Sequence, residues 1–321
     1  MMRFWEDNPE LAGRLECVRG LILQRAASDD AEVRAAVGQL LDASGKMLRP
    51  AFVLLASQFG SPDPERILRA AAAVEMLHMA TLVHDDIIDG APLRRGVATL
   101  HTLRGPRLAV LVGDWLFASC FSMVADLGGE SHGADLAHVV GRICGTEISQ
   151  SAQRFDASTS VRRYLRRIAG KTAALFALSF HVGAQQAGCP DARVSTLRRL
   201  GYNLGMGFQI IDDILDFSSD AAETGKLRGG DLAHGIYTLP VVHALRADDG
   251  ALARALDQAR RRRRAAGRAA RMVVSGEGIP RSRAAAETYT RRAMGALDCL
   301  PPVPARETLR IVTGRLLHRT W

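Results

Sequence analysis

Cysteine is scarce and unpatterned in this 321-residue chain: Cys17, Cys120, Cys144, Cys189 and Cys299 stand far apart, with no CxxC or histidine-linked spacing. That argues against a zinc site or a disulfide framework and leaves buried, reduced thiols. Lysine is scarcer still, with Lys46, Lys171 and Lys226 the three lysines among 42 basic residues. Aromatic residues make up 5% of the chain. Alternation of β-branched or aromatic residues with polar ones is scarce, which argues against a large sheet. No run approaches the roughly 18–20 uninterrupted apolar residues of a membrane span; the strongest, 108–117, carries Asp114. The opening residues Met1-Met2-Arg3-Phe4-Trp5-Glu6-Asp7 hold no apolar secretory core, so a cytoplasmic location is expected. There is no repeat period and no long low-complexity linker.

What is present favours helix. Hydrophobic residues make up 47%, rich in Ala and Leu, and the chain is long enough for a sizeable core. Breakers fall at Pro50, Ser61-Pro62-Asp63-Pro64, Gly90-Ala91-Pro92, Arg104-Gly105-Pro106, Gly128-Gly129, Gly188-Cys189-Pro190, Gly229-Gly230, Pro240, Gly278-Ile279-Pro280 and Pro301-Pro302-Val303-Pro304. They divide the chain into about ten helices, with Pro50 in a first turn and Ser61 or Asp63 as a cap. The expectation is an all-α fold, one large helical bundle forming a single domain over residues 1–321.

The formal net charge is +8, and the most basic stretch is Arg260 to Arg264, followed by Arg268 and Arg271. A nucleic acid or an anionic membrane surface could meet such a run. Without interleaved aromatics or a nucleic-acid motif, a solvated helix face is the simpler reading, and no nucleic-acid partner is expected.

Two acidic runs carry the chemistry: Asp85-Asp86-Ile87-Ile88-Asp89 and Asp212-Asp213-Ile214-Leu215-Asp216, both DDxxD and both set in apolar sequence. On a helix, Asp85 and Asp89 share a face, as do Asp212 and Asp216. Like charges so placed cost about 0.2–0.5 kcal/mol per pair, and far more if buried without a counter-ion. Two such runs predict two helices facing one another across a cleft filled with Mg²⁺. Each lysine lies in a small-residue or loop-like context, Gly45-Lys46, Gly170-Lys171-Thr172 and Gly225-Lys226, where a compact ammonium suits phosphate. Six motif aspartates roughly balance three Mg²⁺ ions, which leaves Lys46, Arg49, Arg94, Arg95, Lys171 and Lys226 to oppose two diphosphates.

With these motifs in order, the chain resembles the trans-isoprenyl diphosphate synthases of the polyprenyl synthetase family. The resemblance rests on GKxxRP (Gly45 to Pro50), HxxxxxHDDxxD (His78 to Asp89), RRG (Arg94 to Gly96), Gly113-Asp114, a Glu147…Gln150 element, Lys171-Thr172, FQxxDDxxD (Phe208 to Asp216), Gly225-Lys226 and Asp231…Thr238-Leu239-Pro240. It implies the isoprenoid synthase architecture around a deep central cavity, usually as a homodimer, and head-to-tail 1′-4 condensation of isopentenyl diphosphate with an allylic diphosphate. It further implies that Asp85, Asp89 and Asp212 ligate Mg²⁺, while Asp86, Asp213 and Asp216 complete or orient the cluster. Arg94, Lys171 and Lys226 would bind the allylic diphosphate, and Lys46, Arg49, His78 and Arg95 isopentenyl diphosphate. Thr172 and Gln209 would lie near the forming bond, beside the allylic substrate. His78 alone would read as a satisfied core histidine; the motif makes it a ligand.

Three positions depart from the family pattern. Ile236 stands where many relatives carry another diphosphate-binding lysine, which lowers the expected allylic affinity, while Thr146 and Ser44 replace glycines and remove no charge. Product length depends on what lines the cavity beneath Asp85. Ala80 and Thr81 are small where farnesyl-length relatives place an aromatic, and Leu77 comes one turn further, with Val74 and Ala73 beyond. The expected product is C30–C50, for a quinone side chain, with C20 as the runner-up. A class I terpene cyclase is disfavoured by the second DDxxD and the few aromatics, and a silent subunit of a heteromeric synthase by the surviving ligands. Brief contact with a membrane surface would serve product release.

Overall fold

The computed structural model describes residues 4–27, 30–43, 45–128, 130–218, 230–261 and 266–317. Two compact units emerge, Met1–His138 with Leu178–Leu197, and Val139–Ala177 with Arg198–Trp321. Nearly all described residues are helical, as the scarcity of strand patterning requires.

The first unit opens with α1 (Pro9–Ala27) and α2 (Ala31–Asp42), followed by α3 (Leu48–Ser57) and α4 (Pro64–Ile88). Apart from Arg49 and Ser57, α3 is apolar, and all of it but Arg49 is buried, the mark of a core helix. Pro50 lies in its first turn, where the missing N–H leaves no intrahelical bond unmade. α4 starts at a cap, with the Asp63 carboxylate accepting from the N–H groups of Glu65 (3.0 Å) and Arg66 (3.1 Å). α1, α3 and α6 (Pro106–Asp126) pack around α4. α4 and α6 are each long and apolar enough to cross a bilayer by length and composition, a mixed pattern that a search for uninterrupted apolar runs passes over. In the protein, two thirds of the α4 window is buried, but only a third of the α6 window.

After α4 a hairpin pairs β1 (Leu93–Arg94) with β2 (Val97–Ala98). Its turn residues, Arg95 (φ 53°) and Gly96 (φ 81°), both have positive φ, as a two-residue type I′ turn demands. The hairpin leads through α5 (Leu100–Arg104) to α6.

The chain passes between the units within α7 (Glu130–Ala152), α9 (Ala174–Gln186) and α10 (Asp191–Ser218). The second unit also holds α8 (Val161–Ile168), a π-helical segment (Ala169–Ala173), α11 (Gly230–Ala233), α12 (Leu239–Ala247), α13 (Ala251–Arg261), α14 (Ala266–Ser275), α15 (Gly278–Asp298) and α16 (Pro304–Leu317). α13 buries Leu252, Ala255, Leu256 and Ala259 and turns Arg260 and Arg261 outward. α14 likewise buries Ala266, Ala269, Ala270 and Val273 and exposes Arg268 and Arg271. On the described residues the basic stretch is therefore a solvated face; Arg262, Arg263 and Arg264 lie outside them.

Candidate active site

In the first unit, α4 ends on its acidic run. Asp85 is half-buried and Asp89 exposed, one turn apart, with the Asp89 N–H donating to the Asp85 carbonyl at 2.9 Å. Asp86 points elsewhere and is buried, its Oδ1 receiving Nε (2.8 Å) and Nη2 (2.7 Å) of Arg94. The hairpin thus places Arg94 directly on the acidic helix. His84, between His78 and the aspartates, pairs with Asp114 at 3.4 Å, which joins the Gly113-Asp114 element to the same helix end.

One to two turns further down α4, Arg49 of α3 meets His78, Nη1 to Nε2, at 2.8 Å. Arginine can only donate, so Nε2 accepts and the imidazole is neutral with its proton on Nδ1. Burial, together with the charges of Arg49, Arg94 and Arg95, holds His78 well below its ordinary pKa in the same sense. The Arg95 guanidinium lies against Gly45, where a Cβ would come 1.7 Å from its Nη1. Arg95, in its left-handed turn conformation, is thereby laid across the GKxxRP segment. Lys46, Arg49, His78 and Arg95 accordingly come from four sequence positions to one neighbourhood of one unit.

Sequence reasoning passed over Glu75, one turn from His78. It is 3% exposed, and its Oε2 is buried with no hydrogen-bond partner. Burial pushes its carboxyl up to about 7, against the opposing pull of Arg49 and Arg95. The charges of Arg49 and Arg95 favour its ionised form, and burial outweighs them. An acidic residue in the apolar run Ala70 to Leu77, three residues before a histidine, was the available signal.

Below these groups α4 borders a narrow apolar crevice, lined from α4 by Ala70, Ala73 and Val74 and from α6 by Cys120 and Val124. Burial lifts the Cys120 thiol to about 12, so it behaves as an apolar wall group. Leu77 and Ala80 are fully buried and Thr81 is half-buried, between this cavity and the aspartates along α4.

In the second unit, Asp212 and Asp216 are half-buried and Asp213 is buried. Tyr164 donates its hydroxyl to Asp213 Oδ2 at 2.6 Å, and Gln209 Nε2 donates to Oδ1 at 2.8 Å. Burial pushes Asp213 up to about 7 despite these bonds, and Asp231 adds to the rise. Gln209 in turn receives the Thr172 hydroxyl on Oε1 at 2.7 Å. Lys171 pairs with Glu147 at 2.8 Å, linking the Lys171-Thr172 and Glu147…Gln150 elements. Both Lys171 and Thr172 sit in the π-helical segment, a local widening common at functional sites. Tyr164 had no sequence signal, since nothing in its neighbourhood marks it as a partner of a residue 49 positions later.

Of the roles left open for Asp86 and Asp213, ligand or organiser, their protein partners match the organiser. Lys226 and Ser44 lie outside the described residues. The two accessible carboxylates of each run suit Mg²⁺, which takes one or two carboxylates and completes its octahedron with water and phosphate oxygens.

Comparison with known proteins shows the family. The polyprenyl synthetase family model matches residues 30–274. The chain is 41% identical to heptaprenyl diphosphate synthase component 2 of Geobacillus stearothermophilus over 90% of both proteins. It superposes on geranylgeranyl pyrophosphate synthase of Lactobacillus brevis with a TM-score of 0.93 and 32% identity, covering 99% of this chain and all (100%) of that one. It also superposes on a polyprenyl synthase of Caulobacter crescentus complexed with calcium and isoprenyl diphosphate, with a TM-score of 0.89 and 33% identity, covering 99% of this chain and 96% of the other. With the family model matching three quarters of the chain and running through both units, the chain belongs to the polyprenyl synthetase family.

Proposed function

We propose that the chain is a Mg²⁺-dependent prenyltransferase that condenses isopentenyl diphosphate head to tail with an allylic diphosphate, giving a trans polyprenyl diphosphate of C30–C50. One observation carries this reading: α4 is ordered by polarity along its length. Asp85 and Asp89 stand at one end, His78 and Glu75 with Arg49 and Arg95 follow, and the apolar cavity at Ala73 and Ala70 comes last. At 1.5 Å per residue, Ala70 lies about 22 Å from Asp85. A diphosphate with a long hydrocarbon tail has that same order of polarity.

In this reading Asp85, Asp89 and Asp212 hold Mg²⁺, three ions in all, with Asp216 supporting them. The metal, when bound, supplies Lewis-acid charge to the leaving diphosphate. Arg94, Lys171 and Lys226 hold the allylic diphosphate, and Lys46, Arg49, His78 and Arg95 the isopentenyl one. The allylic C–O bond breaks and diphosphate leaves with the electron pair. The isopentenyl alkene then attacks the allylic cation, and its C2 proton passes to the departed diphosphate. Thr172 and Gln209, fixed by hydrogen bonds down to Asp213, present oriented dipoles beside the developing charge without taking the proton.

The similarity to a protein named component 2 of a heptaprenyl synthase favours a second reading, in which a different subunit completes the enzyme. Val110, Leu111 and Phe121 of α6 are exposed, and such an apolar helix face suits a protein partner. We assign that face to a second copy, in a cytoplasmic homodimer that touches the membrane surface only to release product.

The test is purified protein with Mg²⁺, labelled isopentenyl diphosphate and, separately, geranyl, farnesyl and geranylgeranyl diphosphates, with the products sized after dephosphorylation. Linear alcohols of C30 or longer support the main reading, and a stop at C20 favours a geranylgeranyl synthase. No product from folded protein points to an obligate second subunit or to a cyclase. Ala80→Phe is expected to shorten the product; unchanged products would detach the tail from α4.

A further inference from the structure

The loop that carries Lys46 is held from outside its own motif, by the aromatic pair that precedes α1. Trp5 is 2% exposed, and its indole Nε1 donates to the Lys46 carbonyl at 2.7 Å, across 41 residues. Phe4 stands edge to face against Trp5, with ring centroids 4.8 Å apart. The Lys46 ammonium lies over the Phe4 ring, 4.6 Å from its centroid, within cation–π range. The pair is fixed in turn by α1. Asn8 caps that helix, its side chain accepting from the Leu11 N–H at 3.0 Å, and the Asn8 N–H donates to the Trp5 carbonyl at 2.9 Å.

The position needs such support. Met47, immediately after Lys46, has φ 46° and ψ 47° and starts α3 with no side-chain cap. A non-glycine residue in the left-handed region persists only where its surroundings impose it. The Trp5 bond fixes the peptide plane entering that turn. The Phe4 ring fixes the far end of the side chain. A lysine stem otherwise samples many rotamers, and ordering it in advance removes that cost from ligand binding.

We propose that Phe4 and Trp5 are positioning residues for Lys46 and, through it, for the diphosphate of isopentenyl diphosphate. This rests on the function proposed above. The contacts of the pair described above lead to Lys46, so its effect is expected on the substrate assigned to that lysine.

The experiment measures KM for both substrates and kcat in Trp5→Phe, Phe4→Leu, Phe4→Tyr and Lys46→Ala, with calorimetric titration of isopentenyl diphosphate into each folded variant. Trp5→Phe keeps a ring but loses the N–H, and is expected to raise KM for isopentenyl diphosphate about five- to tenfold. Phe4→Leu is expected to raise it about two- to fivefold, and Phe4→Tyr, which keeps the ring face, to stay within about twofold of the parent. In each case kcat and the allylic KM stay within about twofold. A parallel rise in both KM values with a lowered Tm would make the pair merely structural and overturn the proposal. So would unchanged isopentenyl diphosphate binding in Trp5→Phe and Phe4→Leu while Lys46→Ala weakens it. If Lys46→Ala itself binds like the parent, or the parent does not bind, the functional assignment fails first and the inference goes with it.

Discussion

In the first acidic run the buried middle aspartate, Asp86, meets the guanidinium of Arg94; in the second the equivalent Asp213 meets the hydroxyl of Tyr164 and the amide of Gln209. In both runs the outer carboxylates are the more accessible ones. Helical spacing alone accounts for that shared feature, because positions four apart return to the same face. Each middle residue has a partner from another segment, a hairpin in one case and α8 in the other, while Gln209 stands one turn before Asp213 on its own helix. A cation compensates a buried carboxylate, whereas neutral donors satisfy its oxygens and leave burial to lift its pKa, to about 7 at Asp213. Identical letters therefore stand for one pattern of accessible outer carboxylates with two different supports.

The largest expected effects fall where the runs are alike. Asp85→Asn and Asp212→Asn should each lower kcat at least about a thousandfold, as losing a metal-borne charge worth several kcal/mol requires. Steady-state turnover of the folded variants checks this. Normal turnover in either one would remove that run from the chemistry and break the parallel.

Glu75 sharpens the electrostatic side of the comparison, since burial raises it despite two arginines nearby. The folded group keeps its proton up to about 7, and the unfolded group loses it near 4.5. Its contribution is thus fully present below about 4.5 and is lost as pH rises through 7. Glu75→Gln cannot ionise, so across that window it should gain on the parent by about 3 kcal/mol. Urea denaturation of both proteins on either side of the window measures the gain, and a difference that does not change with pH rejects it.

The smallest effects separate the two supports. Arg94→Met leaves Asp86 an uncompensated buried charge; with Arg94 itself partly exposed, a loss of about 2 kcal/mol is expected. Tyr164→Phe removes one neutral hydrogen bond and should cost about 1 kcal/mol. Equal losses by chemical denaturation would mean that the two middle aspartates are held equivalently.

Much of this was legible beforehand. Proline and glycine placement marked most helix ends, and the all-helical content followed from composition. Pro50 and Asp63 took the positions that capping chemistry gave them. Short elements such as α5, α8 and α11 were not separable, because fewer than about nine residues carry too little periodicity. The RRG signature shows its charges and its family motif in the sequence, but it is the turn geometry that delivers Arg94 to Asp86 and Arg95 to Gly45. Glu75, Tyr164 and Trp5 were missed because each acts through a partner that sequence spacing does not reveal.

The sequence by itself determined the helical class, the two acidic faces and the small-residue settings of the three lysines. Each of these follows from local rules, a 3.6-residue period and the chemistry of single side chains. Only the tertiary structure decided which carboxylate in each run turns inward, that His78 is neutral because Arg49 donates to it, and that an apolar cavity lies beneath those groups along α4. Those outcomes depend on burial and on contacts across tens of residues, where desolvation and hydrogen-bond geometry rather than residue order set the charge state.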